Sequence, residues 1–337
     1  MKAVVLATAE GPEHLRLVER PDPTPGPGEV LVRIKAASLN YRDLVMTRGG
    51  YGSRQRKSGL IPLSDGAGEV VALGEGISRF QVGDRVTASF FQDWISGPVN
   101  QTKINSDIGR DRDGILCELR TFRDQGLART PDEITDLEAA TLPCAGLTAW
   151  SAIAVYGKAR PGQHILIQGT GGVALFALQL AKLFNAEVIM TSSSDTKLER
   201  VAALGADHLI NYATDSEWGK TALKITEGEG ADNIVELGGS NTLRQSLWAA
   251  KPGGLICLIG VLSGARADLL IPLIGSRNVT LQGISVGPRE SLEDLIKALS
   301  ASCIKPVIDT VFPIEETQAA FAHLASGKHF GKVCISL

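Results

Sequence analysis

The feature that most constrains the fold is a glycine-rich turn, GTGGVA at residues 169–174, between an apolar segment and a predicted helix. The preceding residues 165–168, ILIQ, have the composition and length of a buried strand. Gly169 permits a tight turn, and Gly171 lets the backbone approach a phosphate closely. Ala174, small in place of a third glycine, allows the helix to pack against the strand. Free N–H groups at the helix N-terminus would bind a pyrophosphate, so the turn predicts a dinucleotide site.

The sequence around this turn alternates between strand and helix patterns. Thr135 and Glu138 form a capping box that predicts a helix running toward Tyr156. The predicted strands that follow are 164–168, 187–191, 208–210, 233–237, 255–259 and 279–284. Such alternation builds a parallel sheet covered on both faces, so we predict an α/β fold with a Rossmann-type, doubly wound sheet. The alternative is a tight turn in an α/β domain without a nucleotide, which this context disfavours.

Both ends of the chain differ from this central region. In the first third, residues 29–38 alternate apolar and polar side chains with a period of two, which predicts a strand with one buried face. Further strands are predicted near 3–9, 68–73, 85–91 and 115–122, with a proline-rich connector at 21–28 and an exposed polar loop at 100–114. The last stretch predicts helices at 291–301 and 314–326 and a strand at 332–336.

Composition excludes several classes of protein. A length of 337 residues favours two domains, and 34 basic against 37 acidic residues give no electrostatic reason to expect a nucleic-acid or membrane partner. No apolar run approaches the roughly 20 residues of a membrane helix. The 5 cysteines lie far apart, without a Cys-x-x-Cys pair, which argues against disulfides and a cysteine zinc site. We therefore expect a cytoplasmic protein.

The end of the second strand in the α/β region indicates which dinucleotide binds. An NAD enzyme places an acidic residue about 20 residues beyond the glycines, on the ribose 2′-hydroxyl. Here Ser192 and Ser193 occupy that place, and Lys197 adds a positive charge suited to a 2′-phosphate. Asp195 falls too late, at a predicted helix N-cap. We predict NADP(H) rather than NAD(H); the alternative for Lys197 is a solvated helix face.

With the glycine turn in mid-chain and strands before it, the chain resembles the medium-chain dehydrogenase/reductase superfamily. The matching segments are AASLNYRDL at 36–44, DGAGEVV at 65–71, FQVGDRV at 80–86, LPCAGLTAW at 142–150, the glycine turn, and GKV at 331–333. The resemblance implies a GroES-like β-rich domain at 1–128, rejoined by 288–337, and a Rossmann dinucleotide-binding domain at 129–287. It also implies a cofactor in the cleft between domains, and we expect a homodimer.

Zinc alcohol dehydrogenases of this superfamily hold their metal with a cysteine, a His-Glu pair and a later cysteine or aspartate. This chain has Asn40 at the first position, Ser64 and Asp65 at the pair, and Cys144 at the last. Two plausible ligands do not make the site of three ligands and a water that catalytic zinc requires, so we predict no metal. The chain is similar to the zinc-independent quinone oxidoreductase branch. Cys144 is then more simply a small buried apolar side chain.

The same resemblance implies the cofactor contacts. The residues expected at the 2′-phosphate are Ser192, Ser193, Lys197 and Tyr212. Those expected along the pyrophosphate and nicotinamide are Thr148, Gly169, Gly171, Gly172, Val173, Gly260, Val261 and Lys332. Tyr212 could equally be a packed aromatic at a strand end. The aromatic residues Phe90, Phe91 and Trp94 follow a predicted strand and would wall an apolar substrate pocket, with a core position as their alternative.

Without zinc, no strong Lewis acid polarises a simple ketone, whereas quinones and activated C=C bonds are already electron-poor. The amide of Asn40, together with Tyr41, could stabilise the developing oxyanion. We therefore predict NADP(H)-dependent hydride transfer to a small-molecule quinone, enone or carbonyl acceptor. The alternatives are an alcohol dehydrogenase-like enzyme and a cofactor-binding protein whose main role is not catalytic. Asn40 could also hydrogen-bond backbone within the barrel.

Overall fold

The computed structural model describes residues 1–50, 59–110, 112–269 and 271–337. The chain divides into two compact units: Met1–Leu147 with Val286–Leu337, and Thr148–Ser285. Residues 129–147, which the family resemblance implies for the dinucleotide-binding domain, thus lie in the first unit. Their contacts explain this: Asp136 Oδ1 accepts from Arg85 Nη2 at 2.7 Å, and the Cys144 N–H donates to Asp65 Oδ2 at 3.0 Å.

The strands and helices of the described residues are numbered along the chain. The strands are β1 (Lys2–Leu6), β2 (Leu15–Glu19), β3 (Glu29–Ser38), β4 (Asp65–Leu73), β5 (Arg85–Ala88), β6 (Leu119–Arg123), β7 (Leu127–Arg129), β8 (His164–Gln168), β9 (Glu187–Ser192), β10 (His208–Asn211), β11 (Ala231–Glu236), β12 (Ala250–Leu258), β13 (Thr280–Gly283), β14 (Ile308–Pro313) and β15 (Lys332–Ser336). The helices are α1 (Tyr41–Thr47), α2 (Gln101–Ile104), α3 (Asp136–Ala140), α4 (Leu147–Trp150), α5 (Gly172–Leu183), α6 (Asp195–Ala203), α7 (Trp218–Ile225), α8 (Leu243–Ala249), α9 (Ile271–Ser276), α10 (Arg289–Ser302) and α11 (Thr317–Ala325).

The first unit is built mainly from β-strands. Its main sheet has the order β14-β15-β3-β4-β5-β7, with β6 also pairing with β3, and β1 pairs with β2 in a separate ribbon. The period-two pattern of β3 places Val30, Val32 and Ile34 in the apolar core, each at most 3% exposed. The final strand β15 returns to pair antiparallel with β3, with Ser38 opposite Cys334. This pairing brings the end of the chain beside the residues that follow β3.

The second unit is a parallel sheet with helices. Its strand order is β10-β9-β8-β11-β12-β13, and every pairing is parallel. Strands buried on both faces read as continuous apolar runs, and Ile165, Leu166 and Ile167 of β8 are fully buried. The predicted fold class, a doubly wound parallel sheet together with a β-rich unit, is confirmed.

The structure corrects two sequence predictions. The segment 100–114 is not an exposed loop throughout: it begins with α2, and Asp107 and Ile108 are buried. The guanidinium of Arg42 explains this burial, since it donates to Asp107 Oδ2 at 2.8 Å and to the Ile108 carbonyl at 3.1 Å. The predicted helix toward Tyr156 also contains two π-helical stretches, Leu142–Gly146 and Ser151–Tyr156. No helix in the described residues combines the length and apolarity that crossing a bilayer requires.

Candidate active site

The glycine turn lies at the carboxyl end of β8, as predicted for a phosphate-binding loop. Gly169 has a φ of 78°, in the left-handed region that favours glycine, and its N–H donates to the Thr191 carbonyl at 2.7 Å. Gly171 precedes α5, which begins at Gly172 and Val173, and no side chain in the described part of the chain caps this helix. The uncapped N–H groups of the first turn therefore suit a pyrophosphate.

A buried glutamate braces the loops on either side of this turn. Glu236, at the end of β11, is fully buried and accepts hydrogen bonds on both carboxylate oxygens. Its donors are the Gly238 N–H (2.9 Å), the Gly239 N–H (2.9 Å), Thr242 Oγ1 (2.5 Å), Gln168 Nε2 (2.7 Å) and Ser246 Oγ. Gln168 also accepts the N–H groups of Leu237 and Gly238 on its Oε1. The network fixes the chain that follows β8 and β11.

The residues expected around the 2′-phosphate lie at the ends of β9 and β10. Ser192 ends β9, Ser193 is exposed, and the N–H of Tyr212 donates to the Ser192 carbonyl at 3.0 Å. Tyr212 is 44% exposed, so it is not a packed core aromatic. Lys197 lies in the first turn of α6 and is half-buried.

The acidic residue nearby is held by a different partner. Asp195 Oδ1 accepts from Asn211 Nδ2 at 2.7 Å. The predicted N-cap at Asp195 is wrong by one residue, because Ser194 caps α6 by accepting from the Lys197 N–H. Asp195 is therefore the first helical residue, bonded to the end of β10.

Two further predicted cofactor residues follow β12 at the same sheet edge. The Gly260 N–H donates to the Glu236 carbonyl at 3.2 Å, and a Cβ at Gly260 would lie 2.0 Å from the Leu237 carbonyl oxygen. Only glycine fits this close approach. Val261 is 39% exposed, whereas Thr148 in α4 is 3% exposed.

In the first unit, Asn40 and Lys332 meet although they lie 292 residues apart in sequence. Lys332 Nζ donates to Asn40 Oδ1 and to the Leu39 carbonyl, both at 2.6 Å. Asn40 is 9% exposed and Lys332 3% exposed. The Lys332 ammonium is thus buried against the Asn40 amide, and the expected place of Lys332 on the phosphate and nicotinamide path stays a prediction. The adjacent Tyr41, the first residue of α1, is 46% exposed.

Two buried carboxyl groups lie close to this pair. Asp43 Oδ2 accepts the Asn40 N–H at 2.8 Å, and burial raises the pKa of Asp43 from 3.8 to about 6, opposed by Arg42. Asp65 accepts from Ser64 Oγ at 2.7 Å and from the Cys144 N–H at 3.0 Å. Burial raises the pKa of Asp65, while the Lys332 ammonium and the Asn40 side chain favour its ionised form. The cluster therefore combines a buried lysine with two buried acids whose pKa values are raised.

The aromatic residues predicted to wall a substrate pocket pack against one another. Phe90 and Phe91 meet edge-on with ring centroids 4.7 Å apart, and Phe91 lies 5.6 Å from Trp94. All three are at most 6% exposed, and the Arg42 guanidinium covers the Phe90 ring at 4.7 Å. This burial favours the alternative of a core position; the pocket role stays a prediction.

The positions that hold zinc in related dehydrogenases have an unsuitable donor set here. The Asn40 amide is neutral and faces an ammonium, and both oxygens of Asp65 already accept hydrogen bonds. Burial raises the pKa of the Cys144 thiol, which disfavours the thiolate that binds zinc. Among the described residues, no group of three or more His, Cys, Asp or Glu side chains could hold a metal ion. The residues do not fit a zinc ion.

Comparison with known proteins agrees with this architecture. Residues 26–132 match the alcohol dehydrogenase GroES-like domain, and residues 172–301 match the zinc-binding dehydrogenase family. A zinc-type alcohol dehydrogenase-like protein of Schizosaccharomyces pombe is 40% identical, covering 92% of this chain and 91% of its own. A putative alcohol dehydrogenase structure from Sinorhizobium meliloti is 41% identical with a TM-score of 0.93, covering 100% of this chain and 98% of that one. A chloroplastic quinone oxidoreductase of Triphysaria versicolor is 31% identical, covering 96% of this chain and 94% of its own.

This chain belongs to the medium-chain dehydrogenase/reductase superfamily, as its sequence motifs predicted. It is an oxidoreductase of that superfamily, whose dehydrogenases use nicotinamide cofactors. The expected homodimer stays a prediction.

Proposed function

We propose that the protein transfers hydride from NADPH to a quinone or to an α,β-unsaturated carbonyl compound, without catalytic zinc. The main support is the amide of Asn40. It stands where related dehydrogenases have a zinc-binding cysteine, and Lys332 holds its carbonyl oxygen. Asn40 Nδ2 is buried and makes no well-formed hydrogen bond within the described residues, although the Asn40 side chain lies close enough to Asp65 to favour the ionised carboxylate. A buried donor that is only partly satisfied by protein retains capacity for a ligand acceptor.

This donor suits a particular class of acceptor. When hydride adds to a conjugated carbon, negative charge develops on the carbonyl oxygen, and an amide N–H can stabilise that charge. Saturated ketones need a stronger electrophile, such as a metal ion, because their carbonyl carbon is less electron-poor. The exposed phenol of Tyr41 would supply a second donor to the same oxygen. A conjugated acceptor is therefore the substrate class that these residues can activate.

The residues at the ends of β9 and β10 support NADPH as the cofactor. The hydroxyl groups of Ser192, Ser193 and Tyr212 can donate to a 2′-phosphate, and Lys197 adds a positive charge. An NAD-binding enzyme has an acidic residue at the position of Ser192 and Ser193, whereas Asp195 comes later in the sequence and accepts a hydrogen bond from Asn211. The glycine turn and the N-terminus of α5 would hold the pyrophosphate. When bound, the nicotinamide supplies the hydride chemistry.

The rate of NADPH oxidation with different acceptors tests this function. We expect benzoquinone or cyclohexenone to be reduced at least about 10-fold faster than cyclohexanone, and kcat/KM to be at least about 10-fold higher with NADPH than with NADH. Ethanol and NADP⁺ should react poorly. Efficient ethanol oxidation, together with negligible reduction of the quinone and the enone, would refute the proposal and support an alcohol dehydrogenase.

A further inference from the structure

We propose that Lys332 is a positioning residue: its buried ammonium orients the Asn40 amide so that the NH₂ group faces the acceptor oxygen. The inference rests on the proposed function, and it identifies what makes Asn40 a donor. An amide can present either its oxygen or its NH₂ in a given direction, and these two orientations have opposite chemistry. Only the NH₂ orientation stabilises an oxyanion.

The ammonium determines which orientation is adopted. A lysine ammonium has three N–H donors and no acceptor, so the amide atom 2.6 Å from Lys332 Nζ must be the oxygen. The reverse orientation would bring the NH₂ against a buried cation, with two donors facing each other. The Leu39 carbonyl, also 2.6 Å from Nζ, fixes the ammonium in place. Asn40 Nδ2 is therefore directed away from Lys332.

The backbone of Asn40 is also fixed by hydrogen bonds. Its backbone N–H donates to Asp43 Oδ2 at 2.8 Å, and its carbonyl accepts the Asp43 N–H at 2.9 Å, which fixes the residue at the start of α1. A cation on the amide oxygen also draws electron density from nitrogen and strengthens the remaining N–H donors. The carboxylate of Asp65 offsets the buried charge of Lys332 electrostatically. Lys332 thus acts on the acceptor oxygen only through Asn40.

A double-mutant cycle on kcat tests the proposal with benzoquinone or cyclohexenone as acceptor. Asn40→Ala should lower kcat about 100-fold, since it removes an oxyanion donor. Lys332→Met, which is similar in length but cannot donate, should lower kcat at least about 10-fold with little change in the KM for NADPH. In the Asn40→Ala background, Lys332→Met should change kcat less than about twofold, because no amide remains to orient. Equal losses in both backgrounds, or no loss in the wild-type background, would overturn the proposal.

Two further variants separate positioning from stability. Val333→Ala, on the same strand, should lower the melting temperature and leave kcat unchanged, which shows that destabilisation alone does not slow the reaction. If Lys332→Met does not fold, the cycle uses Lys332→Gln, whose NH₂ can still donate to Asn40 Oδ1. Its loss in kcat should be only about threefold and should vanish in the Asn40→Ala background. A loss by Lys332→Gln that persists in that background would overturn the proposal.

A spectroscopic measurement keeps the inference testable without activity. In protein labelled with ¹⁵N-asparagine, the Asn40 side-chain NH₂ resonances are identified by their loss in Asn40→Asp. Lys332→Met should shift or broaden these resonances, because the amide loses the donor that fixes it, and Lys332→Gln should change them less. Unchanged resonances would contradict the positioning role. An inactive wild-type protein that shows the spectral change would instead contradict the proposed function alone.

Discussion

Glu236 in the second unit and the Asp43–Asp65 pair in the first are fully buried carboxyl groups with different surroundings. Glu236 has five donors and both of its oxygens accept hydrogen bonds. In the first unit, Asp43 Oδ1 and Asn40 Nδ2 make no well-formed hydrogen bond within the described residues, and burial raises the pKa of both acids. A satisfied polar network makes a rigid scaffold, whereas a partly satisfied network retains capacity to bind. We therefore assign a structural role to the Glu236 network of the second unit and a chemical role to the Asn40, Asp43 and Asp65 cluster of the first unit.

The largest expected effect is on the stability of the Glu236 network. Glu236→Gln replaces one acceptor oxygen with an NH₂ group, so one or two N–H donors lose their acceptor and the other donors lose a charged one. Each unsatisfied buried group costs about 1–3 kcal/mol, so the free energy of unfolding should fall by about 4 kcal/mol. Urea unfolding at pH 7 measures this. Glu229→Gln, at a side chain 67% exposed in the same unit, is the control and should change stability by less than about 0.5 kcal/mol. A loss below about 1 kcal/mol for Glu236→Gln would show that the network is not a brace.

A smaller effect, of opposite sign, is expected at Asp43. Its pKa is 3.8 ordinarily and about 6 in the folded protein. Between these pH values the folded state binds more protons than the unfolded state, so ionisation of Asp43 lowers the free energy of unfolding as the pH rises. Above about pH 6 this loss of stability no longer changes with pH. Asp43→Asn keeps an oxygen for the Asn40 N–H and removes this cost. Relative to wild type, the variant should gain up to about 3 kcal/mol between pH 4 and pH 7.

Asp207 supplies the matched control for this pH dependence. Hydrogen bonds from Lys182 and the Val188 N–H lower its pKa, so its contribution to stability is present at neutral pH and is lost in acid. Asp207→Asn should therefore lose stability relative to wild type as pH rises, the reverse of Asp43→Asn. Parallel profiles for wild type and Asp43→Asn would mean that Asp43 does not carry a raised pKa.

The scaffold of the second unit was more predictable than the cluster of the first. Most of the strands β8 to β13 contain short apolar segments that can be recognised in the local sequence. Their predicted bounds therefore lie within a few residues of the observed ones for most strands. The strand β14 was missed because its side chains are half-buried and exposed, without an apolar run. Glu236 was also missed, although a glutamate after the apolar Ile234 and Val235 and before two glycines was a usable signal.

The candidate site depended on contacts that no local pattern contains. Asn40 was identified from the family motif, but its partner Lys332 lies 292 residues away and reaches it only through the pairing of β15 with β3. The burial of Asp107 by Arg42 is hidden in the same way, since these residues lie 65 positions apart. A charged residue is predicted to lie on the surface when only its sequence is known. Its burial becomes evident only when its partners in the folded structure are known.

The proposal that the Lys332–Asn40 pair replaces zinc in stabilising the acceptor oxygen during hydride transfer from NADPH is tested most directly by measuring metal content and activity on the same sample. Purified protein should contain far less than one zinc per chain by elemental analysis. Its NADPH-dependent rate with benzoquinone or cyclohexenone should be unchanged after treatment with a chelator and after addition of zinc. About one zinc per chain, lost together with this activity on chelation and restored with it by zinc, would contradict the proposal.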